Sequence, residues 1–301
     1  MTGRTQWSRL GWHGIVLEVP AEWCPGRLEG DRANGYLRVE DETRIRLELR
    51  WETPRRGKSS ARRLVDNYLE RTRKKLGRKA PQPKVDRHRY VPQLGDVDHE
   101  VFTWRGGFHA HSLLFVCPQS NRVVHVRVFF EPGREARGLV RRIFASARTT
   151  GEGEKDEWSV FGLRFLAGPA WRLERSALRT GCLQMVFRRG REELEVARVS
   201  LAEVVLRDQS LRQWFVAFFA KLLKRCRYEL SAQDYRQHPA VRCTGQVRPG
   251  SLLLGLFRRR LHVTALAWHC AADDKVFVVR VLSRSPRDPE AAGVAETVPC
   301  G

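Results

Sequence analysis

The feature that most constrains this chain is that it repeats itself. Gly14-Ile15-Val16-Leu17 leads to Trp23, and Gly162-Leu163-Arg164-Phe165 leads to Trp171, with the same nine-residue step from Gly to Trp. Each half continues into a short segment opened by glycine, Gly35-Tyr36-Leu37-Arg38-Val39 and Gly181-Cys182-Leu183-Gln184-Met185. A second strand pattern follows in each, Arg44-Ile45-Arg46-Leu47-Glu48-Leu49 and Glu193-Leu194-Glu195-Val196-Ala197-Arg198-Val199. Their period of two puts one face on a core and the other in water. Helical patterns come next. Ser59 or Ser60 can cap the first, whose Leu64, Val65, Tyr68, Leu69 and Leu76 form one stripe. Asp208 can cap the second, where Leu211, Trp214, Phe215, Phe218, Phe219 and Leu222 form a broader stripe and predict deeper burial.

The third block aligns without a gap. Cys117-Pro118-Gln119-Ser120-Asn121-Arg122-Val123 and onward to Val128 matches Cys270-Ala271-Ala272-Asp273-Asp274-Lys275-Val276 and onward to Val281. Each reads as strand, polar turn and β-branched strand, hence a hairpin. Glu135 to Ala147 is then helix-like, with Leu139, Val140, Ile143 and Phe144 apolar, and Pro289 opens a shorter Ala-rich version ending near Pro299. The same blocks in the same order predict a tandem duplication: domain 1 over 1–149, a linker over 150–157, and domain 2 over 158–301. Later strands joined by hairpins, with helices between blocks, predict an α+β fold. Each domain is expected to be a mainly antiparallel sheet flanked by helices.

The order of Gly-to-Trp strand, Pro20-Ala21-Glu22-Trp23 turn, central helix, and C-x-x-x-x-K/R-V-x-x-V-x-V hairpin with closing helix resembles the PsbP-like family. The resemblance covers nearly all of both halves. It implies an antiparallel sheet sandwiched between helices, used mostly to bind other macromolecules and generally without catalysis. No site residue is carried over from the family.

Charge narrows the partners. Lys+Arg total 55 against 34 Asp+Glu, a net +21. That field favours an acidic partner, and the sequence leaves acidic protein and nucleic acid unranked. The densest basic stretch holds Arg71, Arg73, Lys74, Lys75, Arg78 and Lys79 at the end of the first helix, followed by Lys84, Arg87 and Arg89. It reads either as an anion-binding surface or as a solvated helix end in an Arg-rich protein. Arg55-Arg56-Gly57-Lys58 and Arg258-Arg259-Arg260 would extend such a surface. No helix-turn-helix, RNP or zinc-finger signature is present. No apolar run reaches the ~20 residues of a membrane span, and Met1 to Trp12 lacks a signal peptide's apolar stretch. The seven cysteines are widely spaced and lack C-x-x-C, which predicts reduced thiols and a cytoplasmic protein.

The remaining chemistry lies with histidines. His109 and His111 share one face of a strand ~7 Å apart, and His125 follows on the next strand. Cys117 ends the first of these strands, and His262 precedes Cys270 as His109 precedes Cys117. A metal-dependent enzyme would need these groups on one face, which hairpin register decides. The alternative is strand histidines beside packed cysteines. No G-x-S-x-G, phosphate loop or H-E-x-x-H is present, so the sequence points away from an enzyme and calls for no cofactor. Trp23, Trp171 and the Trp214–Phe219 aromatics are expected in cores.

Overall fold

Alternation and turn chemistry lay down most of the strands. The computed structural model describes residues 5–54, 60–76, 83–88, 94–133, 137–151, 153–248, 261–286 and 288–300, and the chain divides into two units, 1–162 and 163–301. In unit 1, Trp7–Trp12 (β1) and Ile15–Pro20 (β2) form a hairpin turning through His13 and Gly14, both at positive φ (50° and 73°). Glycine adopts that conformation without the steric cost a Cβ brings. Phe161 and Gly162 repeat it at the second Gly-to-Trp motif, at 49° and 76°. Trp23 and Trp171 are both buried, as expected.

Unit 1 continues with strands Cys24–Gly30 (β3), Asn34–Glu40 (β4) and Ile45–Glu52 (β5), then helix Ala61–Leu76 (α1). Strands Lys84–His88 (β6), His99–Arg105 (β7), His109–Val116 (β8) and Val123–Phe129 (β9) follow, closed by helix Arg137–Ser146 (α2). Strands β3 to β9 form a seven-stranded sheet in the order β3-β4-β5-β9-β8-β7-β6, antiparallel throughout. Arg148–Thr149 (β10) and Asp156–Val160 (β11) pair with β2 and β1.

That last strand shifts the expected boundary. The stretch 150–157 was expected to be a linker, yet residues 156–160 are a fully buried strand. Ser159 Oγ donates to the Arg9 carbonyl at 2.8 Å, and Trp158 packs edge-on against Trp12. Asp156 is paired with Arg32, and Glu157 with Arg9 and Arg148, so polar residues that read as linker are neutralised in place.

Unit 2 opens with Leu163–Ala167 (β12), Arg172–Arg179 (β13), Cys182–Arg189 (β14) and Glu192–Ser200 (β15). Three helices follow, Ala202–Val205 (α3), Leu211–Phe218 (α4) and Ala220–Leu223 (α5). Strands Cys226–Tyr235 (β16), His238–Val247 (β17), His262–Cys270 (β18) and Lys275–Ser283 (β19) precede helix Glu290–Ala295 (α6). The sheet order is β13-β14-β15-β19-β18-β17-β16, strand for strand the order of unit 1. Even the hairpin turns agree: Asn121 and Asp274, at matching positions, both have φ of 50°, a region Asn and Asp tolerate.

Two helix details differ from expectation, and the Ser60 cap of α1 agrees with it. Ser210, rather than Asp208, caps α4, because its hydroxyl accepts from the Gln213 N–H while the Gln213 side chain accepts from the Ser210 N–H. At α1, Ser60 accepts from the Arg63 N–H at 3.4 Å, and the Ala61 N–H donates to Asp98 at 2.8 Å. Leu76 is 39% exposed, since the buried stripe of α1 ends at Leu69, about two turns earlier.

Both sheets are two meanders joined at one strand pair, β5–β9 or β15–β19. Each junction sets a glutamate opposite an arginine: Glu48 faces Arg127, and Glu195 faces Arg280. Tyr36 OH donates to Glu48 at 2.6 Å, and in unit 2 the Gln184 amide donates to Glu195. Arg280 also pairs with Glu193, and its Nε donates to Glu195 at 2.8 Å. The Glu195 and Arg280 side chains are each 4% exposed. Glu195→Ala would leave the buried Arg280 guanidinium with Glu193 as its remaining carboxylate and is expected to cost up to about 3 kcal/mol. Replacing both partners by Met should recover most of that loss, both changes being read by urea denaturation.

Candidate functional site

In unit 1, α1 lies over β7 and β8, where Val65 and Leu69 pack with Phe102, Trp104 and Leu114. The rest of that sheet face, toward β9, β5 and β4, stays open beside the helix. The result is a cleft of about 770 Å³ lined by Tyr36, Arg50, Tyr68, Arg71, Lys75 and His125, among others. Helix periodicity decides which cations reach it. Leu64, Tyr68, Arg71 and Lys75 recur at three- and four-residue steps and share a side.

Of the basic cluster expected to bind anions, Arg71 and Lys75 therefore line the cleft, and Arg73 and Lys74 do not. Lys74 is paired instead with Glu70 at 2.6 Å. Arg78, Lys79, Arg89 and the basic runs at 55–58 and 258–260 lie outside the described residues. Arg87 is taken up by Asp66 and Glu100.

Two cations that the sequence reading did not single out complete the cleft. The Arg50 guanidinium lies 5.0 Å from the centre of the Tyr36 ring. Arg127 pairs with Glu48 and donates to Tyr68 OH at 3.2 Å. Burial, followed by the Glu48 hydrogen bond, pushes the Tyr36 hydroxyl up to about 12, so it remains a donor. Arg50, Arg71 and Lys75 form no ion pair among the described residues. The available signal was the strand period, which sets Tyr36, Glu48, Arg50, His125 and Arg127 on one face, but it does not say which face α1 leaves open.

His125 sits in the cleft wall. Its ring meets Tyr68 edge-on at 4.9 Å, and its buried Nε2 has no hydrogen-bond partner. Burial, with Arg127 and Arg50 nearby, lowers its pKa to about 3, so the ring is neutral. Register separates it from the other strand histidines. His125 lies opposite Leu114, whereas His109 and His111 lie at odd positions of β8 and project from the other face. Those two pack on Phe130, and the Thr103 hydroxyl is 2.9 Å from His111 Nδ1. The three histidines do not converge. Cys117 is 3.2 Å from the Gln119 side-chain oxygen. Burial acts to raise its pKa, but hydrogen bonds from Ser120 and Thr149 lower it on balance.

Unit 2 brings together a different set. His238, Cys270 and Cys300 place their donor atoms within 4.8 Å of one another. The sequence separates them widely, and the only hint is that extending the β17–β18 register sets His238 opposite Cys270.

No protein-family model matches the chain, and no curated protein does. Among solved structures, the chain is similar to the apo immunity protein TplEi of T6SS from Pseudomonas aeruginosa. That likeness has a TM-score of 0.37 and 11% identity, covering 100% of this chain and 99% of the other. It is also similar to TplEi complexed with "L" peptide, with a TM-score of 0.35 and 8% identity over 98% of each chain.

The buried histidines make stability depend on pH. Burial lowers His13 to about 4 and His125 to about 3 from the usual 6.5. Below pH 6.5 the unfolded chain takes up protons that the folded chain refuses, so stability present above 6.5 falls as the pH drops toward those values. Each histidine contributes up to ~1.4 kcal/mol per pH unit in that window. His125→Val, matching its unit 2 counterpart Val278, should remove about one such slope in urea unfolding measured between about pH 6 and pH 4.5.

Proposed function

We propose that this protein is a non-enzymatic binding protein, or adaptor, whose unit 1 cleft takes an acidic segment of a protein partner. The observation that carries this reading is the cleft itself, lined by Arg50, Arg71 and Lys75, which form no ion pair among the described residues, and by His125, whose buried Nε2 has no hydrogen-bond partner there. Leaving such a nitrogen unsatisfied costs about 1–3 kcal/mol, and a neutral imidazole can donate to a carboxylate. Tyr36, Tyr68, Trp51 and Phe108 supply apolar wall beside the cations. A concavity of this size suits a short segment of chain, with aromatic contact as well as charge. A phosphate backbone, by contrast, is met mainly through exposed charge.

A PsbP-like ancestry for both units belongs to the same proposal. It is supported by their shared strand order and the helices placed after the third and seventh strands of each sheet. No helix among the described residues is long and apolar enough to cross a membrane, and all seven cysteines are free thiols. Both are compatible with the proposed cytoplasmic location.

The test is fluorescence anisotropy with a labelled oligo-glutamate peptide, an uncharged peptide and a single-stranded oligonucleotide. The acidic peptide should bind, and its affinity should fall steeply with salt. Arg71→Glu with Lys75→Glu should weaken it by about tenfold or more, or 1.4 kcal/mol. Arg73→Glu with Lys74→Glu, which changes the same net charge outside the cleft, should weaken it far less. Equal effects of the two pairs would reject the cleft, and preference for the oligonucleotide would make the protein a nucleic-acid binder.

A further inference from the structure

The geometry points to a metal site in unit 2, formed by His238 Nε2 and the Cys270 and Cys300 thiolates and suited to a borderline-soft divalent cation such as Zn(II). Three elements build it. Cys270 closes β18, and His238 opens β17 on the neighbouring strand, where continued pairing puts the two opposite each other. The turn before His238, Arg236-Gln237, has both residues at positive φ (49° and 64°). Arg236 donates to the carbonyls of Val298, at 3.1 Å, and Glu296, and these bonds hold the segment that carries Cys300.

Cys300 Sγ then lies 3.2 Å from His238 Nε2. Bond lengths of about 2.0–2.3 Å in a tetrahedral zinc site put donor atoms about 3.5 Å apart. The His238–Cys300 spacing is close to this, and the Cys270 sulfur lies within 4.8 Å of both, so three donors converge with one position left for water. The donor set of one imidazole and two thiols selects zinc over magnesium or calcium, which prefer oxygen.

A nucleophilic Cys–His pair is the competing reading of the same contact, and it requires a lowered thiol pKa. Burial, chiefly, and the neighbouring Cys270 instead push Cys300 up to about 12. The pair reading also leaves the third converging donor, Cys270, unused, whereas a bound cation would take all three and displace the thiol protons. The buried Trp268 Nε1 acts on Cys300 as a hydrogen-bond donor that lowers its pKa, and is placed to donate to the thiolate once it forms. Bound metal would tie the segment ending in Cys300 to the ends of β17 and β18.

The experiment is titration of the reduced, metal-free full chain with Co(II) alone, followed by Zn(II). The expected result is one Co(II) per chain with thiolate charge-transfer and tetrahedral ligand-field bands, bleached by Zn(II), and a Tm raised by Zn(II). Cys270 is fully buried, so the substitutions are placed at the half-buried partners. Cys300→Ser and His238→Ala should each abolish the bands, while Cys24→Ser, at an exposed cysteine, should keep them. No Co(II) spectrum from the wild-type chain would overturn the proposal. So would Co(II) spectra unchanged in Cys300→Ser and His238→Ala, or a Cys270–Cys300 disulfide that reforms in preference to metal uptake.

Discussion

The arginine–glutamate pair at the junction of the two meanders is the constraint on which each unit depends. Every other strand connection in the seven-stranded sheets is a local neighbour or a helix-spanned return. The β5–β9 and β15–β19 pairings instead bring together strands far apart in sequence, with nothing local to set their register. A one-residue slip at β19 would turn Arg280 toward the opposite, apolar face and leave Glu195 without its partner. A buried pair of this kind adds little net stability against a hydrophobic substitute, but it heavily penalises the wrong alignment. The same pair recurs in both units, as does a third polar group on the next strand, Tyr36 or Gln184. The junction is therefore a property of the repeat.

What differs between the copies is what lies two residues further along. Arg50 faces His125 in unit 1, while Ala197 faces Val278 in unit 2. Over the unit 2 positions pack Trp214, Phe215 and Phe219, and the Phe219 ring lies 5.7 Å from the Arg280 guanidinium carbon. Glu195 and Arg280 are 4% exposed, whereas Glu48 and Arg127 are 14% exposed; α1 brings Tyr68 to the unit 1 junction, against three aromatics of the unit 2 helices packed with the facing strands. Small apolar residues and an aromatic helix seal one copy. Charged and imidazole side chains, under a helix that keeps to the far half of its sheet, leave the other open.

Much of this architecture was legible in the sequence, because its signals were local. The Gly-to-Trp step encodes a turn that needs positive φ at Gly14 and Gly162, and Asn121 and Asp274 mark equivalent hairpin turns. The helix stripes read correctly as far as Leu69 and Phe219, which are buried. The illegible parts depend on distant partners. Asp156 and Glu157 look like linker residues until Arg32, Arg9 and Arg148 neutralise them. Arg71 and Lys75 were within reach, yet their separation from Arg73 and Lys74 follows from where α1 sits on the sheet. Arg50 and His125 carry no motif; only the fold makes them neighbours.

The two hairpin cysteines show how one position in a shared strand order acquires different neighbours. Cys117 and Cys270 occupy the same position at the end of the same strand, and both are buried. Extending the β7–β8 register sets Val97 opposite Cys117, while the β17–β18 register sets His238 opposite Cys270. Cys117 therefore meets Gln119, Ser120 and Thr149, a polar shell with no metal-binding donor. Cys270 meets an imidazole and, through the segment held by Arg236, a second thiol. The backbone fixes where the sulfur sits, and the residue across the strand and the closing segment determine what it can bind. The two units share a strand order, and they differ at two places in it: the sheet face lined by cations in unit 1 and the strand end with an imidazole and two thiols in unit 2.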